Sequence, residues 1–191
     1  MYAVAPDPYC YAGTSVLKNT KGLREQAALD RFEAGAIAQR ARENFPDGKL
    51  DARHYSAVHR HLFQDVYRWA GTYRTVRIAK GDSMFCYPEH IASEMEHLFA
   101  WIESRNFLAD LTARRFAADA AHFLATLNAI HPFREGNGRT QLSFLAILAA
   151  RAGHPLNLMR LDPALFLAAV IESFQGDEKP LARQIGGLID L

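Results

Sequence analysis

The chain has 191 residues, of which 49% are hydrophobic and 23% charged, with a formal charge of +1. This is the balance of an ordinary globular protein, large enough to bury one core, and it offers no strongly basic surface for nucleic acid. The longest apolar run, residues 144–150, is far too short to span a bilayer. Two cysteines, Cys10 and Cys86, stand too far apart for a metal motif and too few for a disulfide framework. The first residues lack a basic start and a long apolar run, so no secretory signal is read and a cytoplasmic location is expected.

Residues 1–20 are rich in Pro, Tyr, Gly and Asn without periodicity, and predict an irregular arm. From 22 to 45 an amphipathic helix is predicted, with Leu23, Ala27, Phe32, Ala36 and Ile37 as its apolar stripe, ended by the Pro46-Asp-Gly turn. Its arginines, Arg40 among them, read as a solvated face. Asp51 is a candidate cap for the next helix, whose core face carries Tyr55, Val58, Leu62, Phe63 and Val66. His54, His59 and His61 lie close together there. His59 and His61 fall on different faces and no His-Glu-x-x-His pattern exists, which argues against zinc hydrolysis.

Gly71 breaks the helical pattern. Residues 73–78 and 84–87 then read as two strands joined through Lys80-Gly-Asp-Ser, a β-hairpin. Pro88 suits the first position of a helix with Ile91, Met95, Leu98, Phe99 and Ile102 on one face. Thr112 is the predicted cap of another, with Phe116, Ala120, Phe123, Leu124 and Leu127 inward. A strongly apolar helix containing Phe144, Leu145, Leu148 and Ala149 follows, up to Gly153-His-Pro. Asp162-Pro163 predicts a cap and first residue for a helix burying Leu165, Phe166, Ala169 and Val170, and a last helix is predicted over 179–189. The expected architecture is one all-α domain over residues 1–191 with a single hairpin.

Between the fourth and fifth predicted helices lies the densest chemistry in the chain, the loop 131–139. Glycines flank Asn137, which lets the backbone turn its N–H groups into a concave anion nest. A helix starting there adds further N–H groups and the positive end of its dipole, and phosphate is the natural ligand of such a place. His131 titrates near neutrality and can act as a base. Glu135 is a hard oxygen ligand suited to Mg²⁺. Arg139 carries a planar fork for phosphate. Taken alone, His131 reads rather as a helix-end residue bonded to a carbonyl, and Glu135 as a complement to the helix dipole; beside a phosphate nest the functional reading of His131 is the better one. Phe133 serves no phosphate and reads as a core plug, stiffened by Pro132.

The string His131-Pro-Phe-Arg-Glu-Gly-Asn-Gly-Arg-Thr-Gln resembles the signature of the Fic (filamentation induced by cAMP) family, HPFx(D/E)GNGRxxR, with nine consecutive positions in agreement. The layout also resembles the Fic fold, a helical bundle whose motif loop joins two central helices and whose "flap" is an upstream hairpin. The likeness runs over most of the chain, including Asp7-Pro-Tyr and Trp69-Ala-Gly.

The resemblance implies a protein adenylyltransferase. His131 would deprotonate a target Ser, Thr or Tyr hydroxyl, which attacks the α-phosphate of ATP and expels pyrophosphate. Glu135 would hold Mg²⁺. Gly136, Asn137 and Gly138 would form the anion hole, with the Asn137 side chain donating to the α-phosphate, and Arg139 would meet the β-phosphate. The flap residues Lys80, Gly81, Asp82, Ser83, Met84 and Phe85 would dock an extended segment of the target protein.

No Ser or Thr is followed four residues later by Glu, so the inhibitory pattern (S/T)xxxE(G/N) is absent from this sequence. The resemblance then implies a toxin restrained by a separate antitoxin, with DNA gyrase or topoisomerase IV as candidate targets. One position departs from the signature: Leu142 stands where the family has a second arginine for the γ-phosphate. Losing one charged hydrogen-bonding contact costs roughly 1.5–3 kcal/mol, about ten- to a hundredfold in affinity or rate. Leu142 otherwise joins the stripe of Leu145 and Ala149. The rival readings are transfer of another phosphate-containing group and a degenerate Fic binding module.

Overall fold

The computed structural model describes residues 7–80 and 83–190. Seven α-helices are found among them: α1 Gln26–Arg40, α2 Ala52–Phe63, α3 Ile91–Glu103, α4 Ala113–Ile130, α5 Asn137–Arg151, α6 Pro163–Phe174 and α7 Lys179–Leu188. Two strands, β1 Ala79–Lys80 and β2 Ser83–Met84, form one antiparallel hairpin between α2 and α3. The helix α4 is central and packs against α3, α5, α6 and α7, while α2 lies between α1 and α5. No helix among the described residues is long and apolar enough to cross a membrane.

The predicted stripes of α2, α3 and α4 are all buried. The predicted caps form too: Asp51 accepts from His54 N–H at 2.8 Å and Thr112 from Arg115 N–H at 3.4 Å. Asp162 accepts from the Ala164 and Leu165 N–H groups, with Pro163 next in line. The facing stripes interlock through aromatic rings. Phe144 of α5 packs edge-on to Tyr55 of α2 at 5.3 Å and to Phe99 of α3 at 5.6 Å. Each such fully buried ring contributes roughly 2–3 kcal/mol, so the start of α5, where the motif ends, is anchored in the densest part of the core.

Three expectations need correction. The helix α1 runs from Gln26 to Arg40 rather than over 22–45, and it buries Leu29 and Ile37, leaving Ala27 exposed. Its start is delayed because the Asn19 side chain bonds both Leu23 N–H and Leu23 C=O, holding an irregular turn. Its end is fixed by His61 Nε2 on the Arg40 carbonyl. Arg40 is no solvated bystander: its fork grips Asp65 at 2.6 and 2.9 Å. On α6, full burial is confined to Ala169 and Ser173, and the predicted core residue Leu165 is exposed.

The third correction concerns the hairpin. Pairing is limited to Ala79 with Met84 and Lys80 with Ser83, and residues 73–78 form no strand. Their backbone bonds elsewhere: Arg74 N–H donates to the Pro132 carbonyl at 2.8 Å, and Thr75 N–H to the Tyr9 hydroxyl at 3.2 Å. One further bond crosses the hairpin, Phe85 N–H to Ile78 C=O at 3.4 Å, and below it the stem is tied to the motif loop and the N-terminal arm. Gly81 and Asp82 of the expected flap, and residues 1–6 of the expected arm, lie outside the described residues.

Candidate functional site

The helix α4 ends at His131, whose φ of 49° and ψ of 63° place it in the left-handed region. That conformation costs a non-glycine residue roughly 1–2 kcal/mol and persists only when neighbours impose it. Here His131 N–H donates to Leu127 C=O at 3.0 Å and closes the helix. Its own carbonyl accepts from Arg74 Nε at 2.8 Å. The ring Nδ1 lies 3.3 Å from the Asn128 carbonyl. A carbonyl only accepts, so this bond puts the proton on Nδ1 and the basic lone pair on Nε2. The helix-end reading and the base reading are compatible: the same bonds that cap α4 set the tautomer a base needs. Phe85 stacks on the imidazole at 3.9 Å between centroids.

Beyond His131 the loop is fastened from inside. Phe133 is completely buried, stacked on His59 at 3.7 Å and on Tyr55 at 5.6 Å. The Asn137 side chain, 2% exposed, closes a ring with the same residue. Its Oδ1 accepts from Phe133 N–H at 2.9 Å and its Nδ2 donates to Phe133 C=O at 2.8 Å. The Asn137 amide clamps the loop, with one Nδ2–H committed to the Phe133 carbonyl.

Gly136 has a φ of 82°, and a Cβ there would sit 2.2 Å from the Phe63 ring, so only glycine fits on both counts. Gly138 lies inside the first turn of α5, and a Cβ on it would meet nothing within 4 Å. The N–H groups of Asn137, Gly138 and Arg139 are the first three of α5 and have no acceptor within the helix. With the helix dipole they make the start of α5 competent for an anion.

Glu135 turns outward, and its Oε1 accepts from Gly136 N–H at 2.8 Å and lies 3.2 Å from Arg139 Nη2. No group of three or more His, Cys, Asp or Glu able to hold a metal exists among the described residues. One exposed carboxylate beside an anion site suits Mg²⁺, which takes one or two carboxylates with phosphate oxygens and water. Arg139 also pairs with Glu33 of α1 at 2.6 Å, its guanidinium over the Phe63 ring. Leu142, one turn along α5, is half-buried, whereas Leu145 and Ala149 are buried. Met84 projects from the hairpin, 57% exposed.

Several residues that hold this site had no sequence signal. His59 is buried, and its Nδ1 accepts from Gly71 N–H at 2.8 Å, which leaves Nε2–H to donate to Glu135 C=O at 3.0 Å. Burial, with a smaller push from Arg139, pulls its pKa down to about 4. Arg74, 2% exposed, donates to four carbonyls: those of Val76, Cys86, Ile130 and His131. It joins the hairpin stem to the His131 end of α4. Arg134 pairs with Asp7 at 2.8 Å and fastens the N-terminal arm to the motif loop.

Residues 49–149 match the model of the Fic/DOC family. The chain belongs to the Fic/DOC family. It is 51% identical over 189 residues to the probable protein adenylyltransferase y4lH of Sinorhizobium fredii, covering 98% of each chain. It is 36% identical to protein adenylyltransferase VbhT of Bartonella schoenbuchensis, where the match covers 92% of this chain and 37% of that one. The crystal structure of the BepC effector of Bartonella tribocorum with bound AMPPNP superposes with a TM-score of 0.86 at 27% identity, covering 95% of this chain and 96% of that one. The all-α Fic fold is thus shared, and the loop 131–139 lies inside the family match.

Proposed function

We propose that this Fic protein is an adenylyltransferase that moves AMP from ATP to a Ser, Thr or Tyr hydroxyl of a target protein. The observation that carries the reading is His131, whose ring Nδ1 bonds the Asn128 carbonyl, in the loop that leads into the anion-competent start of α5. Protein adenylyltransferase relatives and an AMPPNP-bound structural neighbour support it. In the step, His131 Nε2 takes the hydroxyl proton as the oxygen bonds to the α-phosphorus. The bond from that phosphorus to the bridging oxygen breaks, and pyrophosphate leaves with the electron pair. The N–H groups of Asn137, Gly138 and Arg139, with the Arg139 fork meeting the β-phosphate, hold the triphosphate. Glu135 would hold Mg²⁺, which offsets the charge of the departing pyrophosphate. Met84 and Phe85 present the target segment.

Leu142 supplies no contact to the γ-phosphate, so ATP is held less tightly than an arginine there would hold it. On this reading residues 1–191 act as one Fic domain in the cytoplasm. The protein is a toxin restrained by an antitoxin in trans, with gyrase or topoisomerase IV as candidate targets. The test is incubation of the purified protein with cell lysate and ATP labelled at the α- or the γ-phosphate, with His131→Ala as control. Label from the α-position only, lost in His131→Ala, is expected, and Leu142→Arg should strengthen it. Label from the γ-position would indicate phosphorylation. No His131-dependent label would favour a binding module.

A further inference from the structure

The twelve residues of α6 include only two polar side chains, Glu172 and Ser173. Ser173 is buried, and its hydroxyl donates to the Val170 carbonyl of the same helix. A helix that is apolar all round belongs in an interior, yet α6 packs on α4 and α7 with one side facing out. That side carries Ala164, Leu165, Leu167, Ala168 and Ile171, all exposed, with Glu172 as the one charge among them. Leu165, Leu167 and Ile171 each leave half or more of their surface in solvent. Contiguous apolar surface of this kind marks an interaction site.

The apolar side runs into the site. Leu167, Val170, Ile171 and Phe174 follow one another at three- and four-residue spacing, along one side of α6. Phe174 meets Phe85 edge-on at 5.7 Å, and Phe85 stacks on His131. A helix of this length spans about 18 Å, so α6 extends the surface around the base by roughly that distance. Charge narrows the partner. Between Arg160 and Lys179 every charged residue is acidic: Asp162, Glu172, Asp177 and Glu178. Arg160 is itself engaged by Asp190 at 3.1 Å. Two copies of this chain meeting on α6 would bring like charges together, whereas an apolar segment flanked by lysine or arginine would meet opposite ones. We propose that the outward face of α6 is a second docking surface for the target protein. The target lays an apolar segment with basic flanks along Leu167 and Ile171 while its hydroxyl sits at His131. This rests on the proposed transfer to a protein hydroxyl. The path from Phe174 through Phe85 makes the target the occupant, because a protein that delivers a hydroxyl to His131 already stands at the end of the strip.

The test pairs labelling with a direct titration. Leu167→Lys combined with Ile171→Lys should slow labelling of lysate protein from α-labelled ATP about tenfold at limiting lysate, the loss expected of central contact residues. ADP binding, read by calorimetry with Mg²⁺, should stay as in the wild type, because neither side chain is placed at the phosphate site. In the titration, a fluorescent amphipathic peptide with leucines on one helical face and lysines on the other should bind the wild-type protein about tenfold tighter than the double variant. The same peptide with glutamates for lysines should bind neither. Leu167→Ser with Ile171→Ser adds no charge and gives the same comparison if the lysines lower the melting temperature too far. Unchanged labelling by the double variants, or ADP binding weakened along with it, would overturn the inference. A wild-type dimer, seen by light scattering, that the substitutions dissociate would overturn it too, since a second copy would then occupy the face. Tight binding of the glutamate peptide would overturn the basic partner. Wild-type protein that labels nothing would remove the transfer reading first, and the target as occupant with it.

Discussion

Between Phe133 and Asn137 the chain is tied down from three sides, whereas the hairpin, whose Phe85 stacks on His131 just before that stretch, is held together by two residue pairs and one further backbone bond. On the loop side the buried Phe133 ring packs on His59 and Tyr55, the Asn137 amide bonds both backbone groups of Phe133, and the buried His59 imidazole holds the Glu135 carbonyl. On the hairpin side Met84 stands in solvent and the strands are two residues long. The division suits the two tasks proposed for them. A base and an anion site lose rate steeply with small misplacements, so their support is over-determined. A surface that accepts another protein's segment needs unpaired edge and little internal order. Arg74 is where the two regimes join, since its guanidinium reaches the stem of one and the last carbonyls of the other.

Removing that junction should have the largest effect. Arg74→Met leaves four carbonyls without their donor, about 4 kcal/mol at about 1 kcal/mol each, in a site that water reaches poorly. Urea denaturation should show the loss as a lower midpoint, and Arg74→Lys should recover little, because an ammonium cannot span four acceptors in one plane. A loss below about 1 kcal/mol would mean that the hairpin stem and α4 are held together by other contacts.

Residues like Arg74 mark the limit of what the sequence discloses. The helices α2, α3 and α4 were legible because five apolar residues recur on one face of each, and their caps because Asp51 and Thr112 stand immediately before those patterns. The loop 131–139 was legible as chemistry because glycines, a carboxylate and an arginine crowd into nine positions. What could not be read were the bonds that join distant segments: Arg74 to His131, His59 to Glu135, Asp7 to Arg134, Glu33 to Arg139. Periodicity reports which face of an element is buried, and nothing in it reports what a polar group on that face will meet. The same gap explains the hairpin. Residues 73–78 have strand composition, but the motif loop and the arm claim the N–H groups of Arg74 and Thr75, which propensity cannot anticipate. The Asn137 clamp on Phe133 was unreadable for a related reason, since it exists only once the loop closes on the side chain.

The next largest effect tests the loop's interior through pH. His59 in the unfolded chain titrates near 6.5, while in the folded protein its pKa is pulled down to about 4. Between those values the unfolded state binds more protons, so stability is complete above pH 6.5 and falls as pH drops towards 4. The full difference amounts to about 3 kcal/mol. His59→Gln keeps a donor for the Glu135 carbonyl but carries no titrating group. Its urea-unfolding free energy, measured from pH 7 down to pH 4, should therefore decline less steeply than the wild type by about that amount. Parallel curves for the two proteins would show that His59 is not held neutral by the loop.

The smallest effect on stability belongs to the hairpin, and there stability and function should separate. Met84 is 57% exposed, so replacing it with serine removes little buried surface and should change the unfolding free energy by less than about 0.5 kcal/mol. If the hairpin presents the target, Met84→Ser lowers His131-dependent labelling of the target while ADP binding stays as in the wild type, because no phosphate contact is touched. A thioether that lies over a docked segment contributes through flexible apolar contact, which serine cannot supply. Met84→Leu should therefore retain most of the labelling. Equal labelling by Met84→Ser and wild type would remove this side chain from target docking. Weaker ADP binding would instead place the hairpin with the nucleotide, and the contrast between a rigid chemical loop and a lightly built docking edge would have to be drawn elsewhere in the molecule.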